Sequence, residues 1–147
     1  LARVNDALAR GIDLGLEGDE SPVLVKGNAL LLGELVSNLI DNALRYTPSG
    51  GTVTVRVFGK ERHCVLEVED SGPGITPDER ERVFDRFYRV LGNTAEGSGL
   101  GLAIVREIAQ RHGAVIELAD NPTLPAGPSP GTRVTVTFPA VDAALLS

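Results

Sequence analysis

Apolar and polar positions along this chain change period several times, and each change marks an element. Residues 1–10 read as the tail of a helix that stops at Gly11. Ile12 to Leu16 and Val23 to Lys26 alternate with period two, which predicts a short hairpin-like pair of strands. From Ala29 to Tyr46 the period becomes helical: Leu32, Leu35, Val36, Leu39, Ile40 and Ala43 share one broad arc, and Asn28 stands where an N-cap belongs. Two alternating runs follow, Thr52 to Phe58 and Cys64 to Val68, joined across Gly59 to Arg62 and expected to be antiparallel neighbours. Pro77 suits the first turn of a short helix running to Val83, with Asp78 and Glu79 complementing its dipole. Leu100 to Arg111 returns to helical spacing, and Val115 to Leu118 and Val134 to Phe138 are two further strands. Phe84 to Gly97 has no clear period and is expected to be a long, adaptable loop. Asn121 to Gly131, rich in Pro and Gly, is expected to be disordered or variable.

The order of these elements predicts an α+β two-layer sandwich: a mixed, mostly antiparallel sheet with one face covered by about three helices. Composition changes that picture little. The chain's 147 residues fit one domain, and a Trp-free, Met-free core must be built from Leu, Val, Ile and Ala. A formal net charge of −6 without a long basic run argues against a nucleic-acid partner. It does not argue against an anionic ligand, because backbone N–H groups and a bound cation can supply a local positive field. Cys64 is the only cysteine, so no intramolecular disulfide or cysteine-based zinc site exists, and its apolar surroundings mark it as a small buried hydrophobe. No apolar segment approaches the roughly 18 residues of a membrane span, and no signal peptide is visible. The chain starts in mid-pattern without Met, and is expected to be a piece of a longer protein.

Candidate chemistry gathers in three places. Asp70 ends an apolar strand just before Ser71-Gly72-Pro73-Gly74-Ile75. There a carboxylate can accept from an exocyclic amino group while the glycines let a flat ring approach the backbone; a strand-ending Asp-Ser-Gly turn is the other reading. Gly97-Ser98-Gly99-Leu100-Gly101-Leu102 runs into a helix, whose N-terminal N–H groups can cradle phosphates. It lacks the Lys of a P-loop and the preceding strand of a dinucleotide fingerprint. On the long helix, Glu34, Asn38, Asn42 and Arg45 occupy a separate arc about 80° wide. Asn38 and Asn42 can offer oxygens to magnesium, Glu34 can hold or polarise a water, and Arg45 can reach a phosphate or remain a surface cation. Two asparagines inside a helix are unfavourable by propensity, which favours function over a solvated face. Phe84 and Phe87 suit anchoring of the loop base in the core. His63 and His112 are too isolated for a metal site and read as structural.

Together these residues resemble the catalytic, ATP-binding domain of two-component sensor histidine kinases. Glu34 to Pro48 (ELVSNLIDNALRYTP) is similar to that family's N box, and Asp70 to Ile75 (DSGPGI) to its first glycine box. Phe84 to Arg89 (FDRFYR) resembles the F box, Gly97 to Ile104 (GSGLGLAI) the second glycine box, and Gly131-Thr132 the closing glycine-threonine pattern. The likeness runs from about residue 12 to residue 139, in the family's order and spacing. It implies the Bergerat fold, with ATP and Mg2+ as ligands. Asp70 would read the adenine amino group with Thr132 nearby, and Tyr46 would flank the base. Asn38 and Asn42 would hold the metal, and Arg45 would contact phosphate. Gly72, Gly74, Ile75, Gly97, Ser98, Gly99, Leu100, Gly101 and Leu102 would complete the nucleotide site, with residues 85–96 as its lid. Glu34 would orient water or polarise a phosphoacceptor histidine.

The implied activity is transfer of the γ-phosphoryl group of ATP to a histidine on a partner domain. The family's phosphoacceptor motif is not among these residues. Residues 1–10 are then the end of a linker from a dimerisation domain, 11–140 the ATP-binding domain and 141–147 a tail. The partners implied are that dimerisation and histidine phosphotransfer domain and a downstream response regulator. This piece by itself would be a monomer without direct membrane contact, in the cytoplasmic part of an inner-membrane sensor. His112-Gly113-Ala114 departs mildly from the family, which usually has a second glycine there. Two other functions stay open: a serine kinase or ATPase of the same fold, and a nucleotide-sensing domain without transfer. The latter predicts a degraded N box or glycine box, and neither is degraded.

Overall fold

The structure, a computed structural model, describes residues 11–18, 28–88 and 100–139. Among the described residues the sheet has five strands: β1 (Asp13–Gly18), β2 (Thr52–Lys60), β3 (His63–Asp70), β4 (Val115–Ala119) and β5 (Thr132–Pro139). They lie in the order β1-β2-β3-β5-β4. Only the β1–β2 pair is parallel; the other three are antiparallel, as expected for β2 with β3. The described neighbour of β1 is thus β2, reached across the first helix, and not a hairpin partner. The run from Val23 to Lys26 lies outside the described residues, as do residues 1–10 and the tail.

One face of the sheet carries the helices α1 (Ala29–Tyr46) and α2 (Gly101–Arg111). The short helix expected at Pro77 is two 3-10 turns, Pro77–Glu79 and Arg82–Phe84. Period-two alternation turns Val53 and Val55, Leu66 and Val68, and Val134 and Val136 toward the helices, where they bury against Leu35, Leu39, Leu44 and Val105. α1 starts where the sequence places it: Asn28 Oδ1 accepts the N–H groups of Leu30 (3.0 Å) and Leu31 (3.2 Å). The Asn28 N–H in turn donates to His112 Nε2 at 3.2 Å, while His112 Nδ1 lies 2.8 Å from the Ile108 carbonyl. A neutral imidazole with its proton on Nδ1 satisfies both contacts, so His112 ties the end of α2 to the start of α1. That is the structural role expected of it. Burial pushes the Cys64 thiol up, in keeping with an inert core side chain.

Two loops differ from expectation. Asn121–Gly131 is not free: Asn121 is buried, and the Gly131 N–H donates to the Gly72 carbonyl at 3.0 Å. Proline and glycine here shape a fixed path instead of loosening it. Of the two phenylalanines expected to anchor the loop base, only Phe84 is buried, with the Arg106 guanidinium 5.8 Å from its ring centroid. Phe87 sits at φ 66° and is 70% exposed. That left-handed residue swings its ring outward and lets Tyr88 take the inner position.

Candidate functional site

β3 ends in a buried carboxylate. Asp70 pairs with Val53 on one side and Thr132 on the other, at the lip of the sheet beneath the C-terminal end of α1. Its Oδ1 accepts two backbone N–H groups, from Gly72 at 2.9 Å and from Thr132 at 3.1 Å. Oδ2 takes no hydrogen bond from the described residues. Burial pushes the carboxyl up to about 6, against the pull of the two backbone donors. The tight turn after it requires glycine twice. A Cβ on Gly72 would stand 2.7 Å from the Tyr46 carbonyl, and Gly74, at φ 83°, packs 2.8 Å from Pro130 Cγ at its Cβ position.

A cleft of about 620 Å³, counted out to open solvent, opens over this carboxylate. α1 contributes Asn42, Arg45 and Tyr46, the turn contributes Pro73, Gly74 and Ile75, and α2 contributes Gly101 and Leu102. Thr132 forms its floor beside Asp70, and Val83 and Tyr88 close the remaining side. Thus nine residues singled out from the sequence converge: Asn42, Arg45, Tyr46, Asp70, Gly74, Ile75, Gly101, Leu102 and Thr132. Gly72 lies under the turn, shaping the cleft without lining it. Gly97, Ser98 and Gly99, and residues 89–96 of the expected lid, lie outside the described residues.

Glu34, Asn38 and Leu100 stand apart from the cleft wall. Glu34 and Leu100 line a broader groove on the other side of the α1–α2 junction. Asn38 joins the two sides: its Nδ2 donates to the Glu34 carbonyl at 2.8 Å and to Glu34 Oε2 at 3.3 Å. With both acceptors on the amide nitrogen, the oxygen is the free end, and it lies 3.4 Å from where a Cβ on Gly101 would be. The Asn38 oxygen therefore faces the first turn of α2, where backbone donors favour anions. Hard oxygen donors without a ring of carboxylates suit Mg2+ held together with phosphate and water. Among the described residues, no group of three or more His, Cys, Asp or Glu could form a protein-only metal cage.

Three further residues bear on the site, and the sequence signals them weakly. Glu79 is buried and receives the Tyr88 hydroxyl at 2.7 Å, a bond that holds the Tyr88 phenol above its ordinary range. Nothing in the spacing around Glu79 separates it from its charged neighbours; Tyr88 is at least part of the aromatic cluster. Asn121 donates from Nδ2 to the Asp70 carbonyl at 3.0 Å. Its only sequence mark is the Asn-Pro step that begins a turn.

Known proteins resemble this chain in sequence and in fold. The family model described as histidine kinase-, DNA gyrase B-, and HSP90-like ATPase matches residues 27–142. The signal transduction histidine-protein kinase/phosphatase MprB of Mycolicibacterium vanbaalenii is 42% identical over 129 residues, 86% of this chain and 26% of that protein. The sensor protein kinase PmrB of Pseudomonas aeruginosa is 46% identical over 107 residues, 72% of this chain and 22% of that protein. The chain thus spans about a quarter of the length of these relatives. Among solved structures, a mycobacterial sensor histidine kinase MprB superposes with a TM-score of 0.82 at 36% identity, covering 93% of this chain and 90% of that one. Full-length ShkA in complex with AMPPNP shares the fold, with a TM-score of 0.78 at 24% identity over 95% of this chain and 28% of that one. Among the described residues, no helix is long and apolar enough to cross a membrane.

Proposed function

Since this chain belongs to the histidine kinase-, DNA gyrase B- and HSP90-like ATPase family, we propose that it binds Mg-ATP over Asp70 and transfers the γ-phosphoryl group to a histidine on a partner domain. One observation carries the reading: a buried carboxylate, held by one oxygen only, faces a cleft whose far end is the N-terminus of a helix. Oδ2 of Asp70 is left to accept from an adenine amino group. Thr132 and the glycine turn admit the flat ring, and Tyr46 flanks it. Phosphates then extend toward Arg45 and the first turn of α2, where N–H groups and a guanidinium meet negative charge.

Asn38 and Asn42 are the residues that would hold Mg2+, and Mg2+ when bound neutralises phosphate charge. The rest is positioning. An unprotonated ring nitrogen of the incoming histidine bonds to the γ-phosphorus as the bond to the β,γ-bridging oxygen breaks, and the charge leaves on ADP. Glu34, which accepts from Asn38 and lines the broader groove, is the residue assigned to polarise that histidine. Residues 85–96 are assigned to the lid that excludes water. The phosphoacceptor histidine belongs to a dimerisation domain of the same parent protein, a response regulator receives the group next, and the domain works in the cytoplasm, where ATP is.

Calorimetric titration with ADP and a non-hydrolysable ATP analogue, with and without Mg2+, tests the binding half on wild type and Asp70→Asn. Magnesium-enhanced binding that D70N abolishes is the expected result; equal binding by D70N removes Asp70 from base recognition. Supplying the histidine-bearing domain with ATP should then yield an acid-labile, base-stable phosphoprotein, and its absence would leave a binding module.

A further inference from the structure

Asn121 is buried, lies outside the cleft lining, and spends every polar group on the ground beneath it. Its Nδ2 donates to the Asp70 carbonyl at 3.0 Å. Its own N–H donates to the Pro130 carbonyl at 3.1 Å, and Oδ1 accepts from the Thr123 N–H (3.0 Å) and hydroxyl (2.7 Å). Asn121 thereby fixes both ends of the 121–131 loop against the end of β3. The loop then returns three contacts to the Asp70 turn. Pro130 packs under Gly74, the Gly131 N–H donates to Gly72, and the Thr132 N–H donates to Asp70 Oδ1. Gly131, at φ 69°, lies so close that a Cβ there would overlap the Asp70 carbonyl. Arg80 adds an outer tie, bonding the Ile75 carbonyl at 3.3 Å and Asp120, the residue before Asn121, at 3.1 Å.

We infer that Asn121 is a positioning residue for base recognition, acting through the 121–131 loop to hold Asp70 and Thr132 in register. The inference deepens the proposed function and rests on it where nucleotide is concerned. Physically, the Asp70 main chain is gripped by the Asn121 amide while its side chain is gripped by the Thr132 N–H. Losing the first leaves a buried carbonyl without that donor and frees the strand end to drift from the second. Around the carboxylate, the other ionisable groups lining the cleft are Arg45, Tyr46 and Tyr88, and none of these is touched by the change.

The test compares the full chain with Asn121→Ala and His63→Ala, reading the Asp70 carboxyl titration by carbon NMR and ADP affinity by calorimetry at pH 7. With the Thr132 donor displaced, the Asp70 midpoint should move up in N121A and ADP affinity should fall about tenfold. H63A, which loses only a contact with the Glu61 carbonyl at the opposite end of β3 from Asp70, should leave both unchanged. An Asp70 midpoint in N121A equal to wild type overturns the inference, whatever happens to affinity, because general loosening would weaken binding without that shift. Should N121A fail to fold, Asn121→Ser removes the same donor with a smaller gap and is read identically. Failure of wild type to bind ADP would sink the functional reading alone, since the carboxyl titration needs no nucleotide.

Discussion

Asp70 is a carboxylate kept at a cost. Its carboxyl is pushed up from 3.8 to about 6 by burial, so between those values the folded chain retains a proton that the unfolded chain has released. Stability must therefore fall as pH rises through that window, level off above it, and be unaffected by this group below it. A gap of about two pH units corresponds to about 3 kcal/mol. Denaturant unfolding at pH 4, 5, 6 and 7 should show wild type losing stability relative to D70N across the interval, because the amide oxygen can still accept from Gly72 and Thr132 but carries no charge. Parallel curves for the two proteins would mean that the carboxylate is not strained by burial. Nucleotide should act in the opposite sense. In the proposed base recognition an adenine amino group would donate to the ionised form, so ADP affinity should weaken as pH falls below about 6, and binding at that pH should release a proton. The residue scale is also where the sequence speaks most clearly. Asp70, Asn42 and Gly101 were recognisable because each combines an unusual residue type with a strand end, a helix face or a helix start. Asn121 was not recognisable, because its work is done by contacts 51 residues away in the chain.

At the scale of elements, helix boundaries were legible and turns were not. Asn28 and the apolar arc from Leu32 to Ala43 announce α1 because capping and periodicity are local. The loop of 121–131 hid its order for the converse reason: proline and glycine report flexibility in isolation, yet here their partners are Gly72, Gly74 and Asp70. The parallel pairing of β1 with β2 was equally hidden, since period two in a strand says nothing about direction. The β2–β3 connection shows the same limit. Glu61 and Arg62 form its two-residue turn at φ 50° and 67°, a left-handed pair in which Asn-Gly is the favoured sequence. Neither residue signals such a turn, and both are exposed. Replacing them by Asn and Gly should therefore relieve strain without touching the core or the cleft. An E61N/R62G variant is expected to gain about 1 kcal/mol, seen as a higher urea midpoint with an unchanged slope. A lower midpoint would show that Glu61 and Arg62 make compensating contacts worth more than the strain.

Across the whole molecule, the sheet divides two neighbouring carboxylates between two tasks. β3 alternates, so Asp70 ends the helix-facing row, at the lip where the cleft opens, while Glu69 points to the opposite face. Both are buried, but their surroundings differ in kind. Glu69 is held by guanidinium groups from both neighbouring strands, Arg56 on β2 and Arg133 on β5, and Arg133 Nε lies 2.9 Å from its Oε2. Glu67 extends the same ladder at longer range, 3.9 Å from Arg56 and 3.7 Å from Arg133. A carboxylate paired with two arginines has its charge answered within the fold and links three strands. The Asp70 carboxylate has only backbone donors, both on one oxygen, and no ion-pair partner among the described residues. Substitution of each by its amide should then separate stability from binding. Glu69→Gln gives up charge-assisted bonds to partly buried arginines and is expected to lose about 2 kcal/mol in denaturant unfolding at pH 7, while binding ADP as wild type does. Asp70→Asn should be at least as stable as wild type at that pH and bind ADP far more weakly. If E69Q impaired ADP binding at full saturation of the folded protein, the two faces of the sheet would be coupled, and the ion ladder would have to be counted as part of the nucleotide site.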